Sequence, residues 1–420
     1  MEESVPQRLV SYSESVRRYG GSARGASRAE REKGKMATTT DSVRAQKFSQ
    51  LQPPRRYLFG PGPTQVHPRV YEAIAKPIVS HVDPYFFSVM EDVQGLLKVA
   101  FGAERGVTLA VSGTGSGGME AAVSNFLEPG MKCAVFANGF FCDRITEMAK
   151  RHGAEVVRLE KAWGGTFSDD EAREFIRREK PQVVAYVQAE TSTGALQPGK
   201  ALCAAAHEAG AMVIADCVTS LGGLPVEVDK TGIDVAYSCT QKGLSCPPGL
   251  SPMALSPRAM EWLGQRRTPV PNWYFDLKLI YDYSTVSHRY HHTAPISMFY
   301  ALREALVLVA EEGVEKRWER HRHCHSKFVK GIENMGLRMF VPEGQRIPTL
   351  NTVCVPAGVD DAKVRKRLLE EQGIEIQSGF GPLAGKVFRI GIMGPLATEE
   401  NVQFLLRELG RALTAEGHKA

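Results

Sequence analysis

Two polar residues stand where chemistry is easiest to build. Asp216 ends the apolar run Val213-Ile214-Ala215, and Lys242 follows Val235-Ala236-Tyr237 after the short segment Ser238-Cys239-Thr240-Gln241. Short apolar runs rich in β-branched residues read as buried strands. In an open parallel sheet ligands bind at the carboxyl ends of the strands, so both side chains would face one crevice. A lysine drawn out of water loses its proton more readily and becomes an amine nucleophile, because burial disfavours the ammonium form. A carboxylate opposite it could keep a ring nitrogen protonated. Those are the two needs of pyridoxal phosphate: a Schiff-base lysine and an acidic partner for the pyridinium. Each residue alone has an ordinary alternative, the acid as a helix cap and the lysine as a solvated loop residue.

Other stretches supply what such a site lacks. Gly113-Thr114-Gly115-Ser116-Gly117-Gly118 lies between a strand-like run and a helix-like run, and is expected as a turn. Bare amides there, together with the helix dipole, make an anion site suited to a phosphate. The segment matches neither a P-loop nor a dinucleotide fingerprint. Asn138-Gly139-Phe140-Phe141 could lay an aromatic face over a planar ring, or both rings could be core. Glu190-Thr191-Ser192-Thr193-Gly194 offers hydroxyls to a phenolic oxygen, or is a solvated turn. His321-Arg322-His323-Cys324-His325 is dense in metal ligands, but adjacent helical positions diverge, so a solvated, partly basic helix face is expected. Tyr290-His291-His292-Thr293 is not read as a metal site either.

The elements that would position these residues follow from the whole chain. At 420 residues two domains are expected. Hydrophobic content of 43% and charged content of 24% are those of a globular protein. A net charge of +5, from 52 basic and 47 acidic residues, gives no argument for nucleic acid. No apolar run is long enough to span a bilayer. Eight cysteines without a Cys-x-x-Cys pair fit free thiols in a reducing compartment, so a cytoplasmic location is expected. Residues 1–50 differ from the rest: Ser-, Gly- and charge-rich, with little apolar periodicity, they read as a disordered or extended arm. Met36 is an alternative start.

From Tyr57 onward strand-like and helix-like pieces alternate. Strands are expected at Thr108–Val111, Cys133–Phe136, Glu155–Leu159, Val183–Val187, Met212–Ala215, Val235–Ser238 and Pro252–Leu255. This β–α alternation argues a parallel sheet with helices on both faces. After a long helical stripe at Pro295–Gly313 come a helix from Val314, strands at Thr352–Val355 and Phe388–Ile392, and a last helix capped by Thr398. A large domain over 51–312 and a smaller α/β domain over 313–420 are therefore expected.

Seven motifs in order make the chain resemble the class V pyridoxal-phosphate aminotransferases, and within them the alanine–glyoxylate (serine–pyruvate) group. They are Leu58-Phe59-Gly60-Pro61-Gly62-Pro63, Ser112 to Gly115, Glu190 to Gly194, Asp216 to Gly223, Ser238 to Gly249, Tyr290 to Thr293, and Arg389-Ile390-Gly391. The resemblance runs from Tyr57 to the last helix. It implies the α/β fold type I of these transferases, a mainly parallel large domain with a smaller C-terminal one, acting as a homodimer.

It also implies roles. Lys242 would carry the cofactor and Asp216 would pair with its pyridine nitrogen, with Thr191 near the phenolic oxygen and Phe141 stacked on the ring. Thr114, Gly115, Ser116 and Gln241 would hold the phosphate, joined by Tyr290 and Thr293 from a second subunit. Arg389 would grip the substrate α-carboxylate, with Gly62 beside it. The chain departs from its relatives at Phe141, where they carry tryptophan, and at Ser116, where they carry histidine. The implied reaction is ping-pong transamination from alanine or serine to glyoxylate through pyridoxamine phosphate. Rivals are a class V lyase of the desulfurase type, for which Cys324 and Cys354 are unconvincing nucleophiles, and a catalytically silent binding protein on the same scaffold.

Overall fold

The computed structural model describes residues 49–418. The expected arm, residues 1–50, lies almost wholly outside them. From Arg56 onward the described residues form one compact unit.

Its centre is a seven-stranded sheet. The strands are β1 (Val107–Ser112), β2 (Lys132–Ala137), β3 (Glu155–Glu160), β4 (Val183–Val187), β5 (Met212–Asp216), β6 (Val235–Tyr237) and β7 (Leu250–Leu255). They lie in the spatial order β1-β7-β6-β5-β4-β2-β3. All seven expected strands are present. Neighbours pair in parallel except at β7, which runs antiparallel to both β1 and β6. The Ser238–Gly249 connection holds no helix, so the chain turns back instead of crossing over, and only an antiparallel strand can result.

Buried strands alternate their side chains between two cores. Val184, Tyr186, Val213 and Ala215 enter one, while Val183, Ala185, Val187 and Ile214 enter the other. Both faces are covered, which is why these runs are apolar at every position. Each large apolar side chain removed from water contributes about 1.5–3 kcal/mol. The register aligns Val187 with Asp216 and Asp216 with Tyr237 at the carboxyl edge.

Three helices frame that edge: α1 (Gly115–Phe126), α2 (Phe140–Arg151) and α3 (Ile296–Glu312). The helix expected after Gly118 starts earlier, at Gly115, so part of the expected turn is already helix. Gly113 keeps the turn proper, with a φ of 155°.

Beyond α3, Gly313 breaks the helix at φ 84° and α4 (Val314–Asn334) begins. A three-stranded antiparallel sheet follows, made of β8 (Leu350–Cys354), β9 (Gln377–Ser378) and β10 (Val387–Gly391) in the order β8-β10-β9. It packs with α4 and α5 (Glu399–Ala415) around Phe328, Val353, Phe388, Ile390 and Leu405. The expected cap of α5 is present: the Asn401 amide donates to Thr398 Oγ1 at 3.2 Å, and Glu399 and Glu400 occupy the first turn.

The histidine-rich stretch of α4 is only in part the solvated face expected of it: Arg322 and His323 are exposed, and the other three are not. His321 is fully buried, with Nδ1 donating to the Arg317 carbonyl at 2.7 Å and Nε2 accepting from the Gly394 amide at 3.1 Å. Cys324 belongs to the core. His325 bonds Asn351, and His323 alone pairs outward, with Glu399. α4 turns Arg317, His321, Cys324, Phe328 and Ile332 inward along one stripe and leaves Arg322 and His323 on the solvent side.

Candidate active site

Asp216 is the last residue of β5, and its carboxylate is buried at 3% exposure. The Val218 amide donates to Oδ1 at 2.9 Å and the Tyr237 hydroxyl donates to Oδ2 at 2.8 Å. Tyr237 ends the neighbouring strand, so sheet register alone brings it there. Burial pushes the Asp216 carboxyl up to about 6, against the pull of its hydrogen bonds and of the nearby Arg144 and Lys242 cations.

Lys242 lies in the loop after β6. Its amine donates to the Pro61 carbonyl, and the Thr64 hydroxyl donates to its own carbonyl at 2.9 Å. Burial lowers its pKa and the Arg389 cation lowers it further, while Cys239 and Asp216 pull the other way. The neutral, nucleophilic amine is thereby favoured. Gly62 has a φ of 108°, and a Cβ there would lie 2.5 Å from Lys242 Cδ and 2.7 Å from Nζ. A side chain there would displace the end of the lysine, and the positive φ would strain any residue but glycine.

The loop Gly113–Gly118 meets these residues at the amino end of α1. Thr114 sits at the N-cap without using its side chain to cap; the Gly117 amide donates to the Thr114 carbonyl at 2.7 Å, and the Gly115 and Ser116 amides are left for another acceptor. A Cβ on Gly115 would stand 3.1 Å from Cys239 Cβ and 3.2 Å from Val218 Cγ2. The segments after β5 and β6 therefore press directly on the helix end. Ser116 Oγ accepts from Arg144 Nη1 at 2.9 Å, and the same guanidinium lies 5.1 Å from the Phe141 ring centroid. Among the described residues no group bonds the buried Gln241 Oε1, an orphaned polar atom beside the lysine.

Thr191 and Thr219 share a hydrogen bond between their hydroxyls. Glu190 is fully buried, its carboxylate accepting from the Ser192 amide and hydroxyl and from the Phe141 amide at 2.7–3.1 Å. Burial raises it to about 6. Arg389, on β10, is 3% exposed. Its Nε donates to the Ser378 carbonyl at 2.8 Å and its guanidinium carbon lies 3.8 Å from the Phe380 ring centroid. Among the described residues no group takes its Nη2. Burial lowers its pKa to about 10.

Most expected site residues thus converge: Lys242, Asp216, Thr114, Gly115, Ser116, Phe141, Thr191, Gln241, Arg389 and Gly62. Tyr290 and Thr293 do not join them within one chain. Tyr290 is 57% exposed, its ring 5.0 Å from that of His81, and Thr293 is exposed as well. Between them His291 and His292 are buried; His292 Nε2 meets Ser112 Oγ at 2.6 Å and the two Nδ1 atoms meet at 2.8 Å.

Sequence reasoning missed Tyr237, Thr219 and Arg144, and read Glu190 only as part of a hydroxyl-bearing turn. Asp143-Arg144 carries no pattern that would have singled it out. Cys324 and Cys354 stay outside this cluster, in or beside the second sheet, with thiols that burial pushes up.

The residues fit pyridoxal phosphate. An uncapped helix end, an orphaned amide side chain and a half-buried aromatic ring surround a buried carboxylate and a partly desolvated lysine. The Gln241 amide, turned over, would present a donor to a phosphate oxygen. When bound, the cofactor supplies an electron sink for the pair released at the substrate Cα.

Comparison with known proteins agrees. The family model "Aminotransferase class-V" matches residues 56–405. A (S)-ureidoglycine–glyoxylate transaminase of Bacillus subtilis is 38% identical, over 86% of this chain and 91% of its own length. The rabbit (Oryctolagus cuniculus) alanine–glyoxylate aminotransferase is also 38% identical, over 86% and 93%. The crystal structure of an alanine–glyoxylate aminotransferase from Nostoc sp. is 44% identical, with a TM-score of 0.86 over 88% of this chain and 98% of that one. A cysteine desulfurase from Thermococcus onnurineus, at 14% identity and a TM-score of 0.67, shares the fold alone. The chain belongs to the class-V aminotransferases, enzymes that use pyridoxal phosphate.

Proposed function

We propose that this aminotransferase moves the amino group of alanine, with serine as a second donor, to glyoxylate. The observation that carries this reading is the seat around Arg389. Its free Nη2 edge is the carboxylate anchor, and the wall beside it is aromatic. Phe380 covers the guanidinium, Phe140 lies 5.1 Å from Phe380, and Phe140 meets Phe141 edge to face. Arg144, the other cation nearby, is engaged with Ser116. A donor bearing a second carboxylate would bury it unpaired, at several kcal/mol.

In this reading Lys242 would carry the cofactor between turnovers, and its freed Nζ would take the proton from the substrate Cα while the cofactor supplied the electron sink. Asp216 keeps the pyridine nitrogen protonated, and Thr191 bonds the phenolic oxygen. Thr114, Gly115, Ser116 and Gln241 hold the phosphate. Phe141 provides the stacking face, and Gly62 leaves room for lysine and substrate. Two half-reactions give ping-pong kinetics. Residues 51–312 act as the large domain and 313–420 as the small one.

Tyr290 and Thr293 complete the phosphate site of a partner in a homodimer, a reading supported by their exposure. A cytoplasmic location is supported by eight free cysteines among the described residues. No helix among the described residues is long and apolar enough to cross a membrane.

The test is kcat/KM for alanine, serine, aspartate and glutamate with glyoxylate held fixed. Alanine should lead and serine follow; aspartate or glutamate as the best donor would refute the small aromatic seat. The Bacillus relative supports a second reading, a ureido-bearing donor. It is tested by adding ureidoglycine to the panel.

A further inference from the structure

We propose that Arg317 is a positioning residue for catalysis, a clamp that fixes the turn carrying Lys242 against the turn that follows Asp216. It stands near the start of α4 and is 6% exposed. Its Nε donates to the Gly222 carbonyl at 2.7 Å and its Nη2 donates to the Gly243 carbonyl at 2.8 Å. Gly243 is the residue after Lys242. Gly222 lies in the stretch running from Asp216 past Thr219.

The two turns touch backbone to backbone. A Cβ on Gly222 would lie 2.8 Å from the Gly243 carbonyl carbon, and one on Gly243 would lie 2.9 Å from the Gly223 amide nitrogen. Two buried carbonyls brought this close need donors, since an unsatisfied acceptor costs about 1–3 kcal/mol. A planar guanidinium reaches both at once; a lysine ammonium, a single point donor, does not. Its third edge, Nη1, donates to Glu312 Oε2 at 2.7 Å, so the buried charge is paired.

Glu312 ends α3, just before the Gly313 break, and also accepts from Arg320 Nε at 2.6 Å. Arg320 turns elsewhere, its Nη1 donating to the Gly394 and Ala397 carbonyls. The two arginines share one acid, yet only Arg317 reaches the catalytic turns. With Thr64 on the Lys242 carbonyl and Arg317 on the next, the lysine is held from both sides. A proton transfer tolerates little misplacement: an error of about 1 Å costs about a hundredfold in rate.

The proposal rests on Lys242 carrying the cofactor. The experiment uses cofactor-loaded enzyme with Arg317→Lys, Arg317→Met and Arg320→Met. Both Arg317 variants should lose about ten- to a hundredfold in kcat while KM for alanine stays within about threefold. The pH at which their visible cofactor band titrates, read without substrate, should move by a unit or more. Arg320→Met should leave that titration in place. Arg317→Lys keeps the buried charge, so it carries the test if Arg317→Met does not fold.

An unmoved titration with kcat within about twofold of the parent would overturn the clamp. So would an equal shift in Arg320→Met, which would make the effect a general property of the α3–α4 junction. The titration needs no amino donor, so the clamp stands or falls independently of which donor the enzyme prefers. A parent enzyme whose cofactor is not fixed to Lys242 by borohydride reduction would instead overturn the assignment of Lys242.

Discussion

The Phe380 ring lies flat enough on Arg389 to bring the guanidinium carbon within 3.8 Å of its centroid. One face of the cation is closed, so a carboxylate must arrive at the Nη edge, in the guanidinium plane. Arg389→Lys should lower kcat/KM for alanine by about a hundredfold or more, because a lysine cannot make the two parallel bonds. Phe380→Ala removes a cation–π contact of about 0.5–2 kcal/mol and opens the wall. It should raise KM for alanine and glyoxylate while improving aspartate relative to alanine. Unchanged donor ratios in steady-state assays would show that Phe380 does not shape the seat.

Lys242→Ala should abolish turnover and the lysine-dependent visible absorbance. The fold should persist, since among the described residues the amine's one hydrogen bond is to the Pro61 carbonyl. The loop at Gly113–Gly118 should still retain some cofactor, separable by gel filtration. Turnover surviving in this variant would move the chemistry to another amine.

Asp216→Asn should cut kcat by orders of magnitude, and it also predicts a pH effect in cofactor-free protein. The carboxyl titrates at about 6 when folded against a reference value of 3.8. Between those values the native state keeps a proton that the unfolded chain has lost, so this group's contribution to stability falls as pH rises through that window. The variant should gain on the parent by up to ~3 kcal/mol between pH 4 and 7. His292 and His321, lowered to about 4 and about 3, act in the opposite sense but cancel in the difference. A difference in Tm that stays flat with pH would contradict the raised value.

Tyr290→Phe should weaken cofactor retention without altering Lys242, measured as cofactor loss on dialysis. The shared site further predicts that active enzyme sediments as a dimer. Active monomers would show that Tyr290 and Thr293 serve no partner.

The sequence by itself determined the strands, because a run such as Val183–Val187, buried on both faces, can be little else. It also pointed to Asp216 and Lys242, each placed by the end of such a run, and to Arg389 through its motif. Tertiary structure decided what local pattern does not encode. Tyr237 reaches Asp216 through strand register, and Arg144 reaches Ser116 from a different helix. Arg317 spans 74 residues of chain to Gly243. The glycines at 115–118 read as a turn, yet helix begins there because the end of α1 is packed against Val218 and Cys239, and helical stability comes mainly from packing. His321 read as solvated, yet it is buried because it falls on the stripe Arg317–His321–Cys324–Phe328 that α4 turns inward. Periodicity reports which face of an element is apolar; it does not report which distant polar group that face will meet.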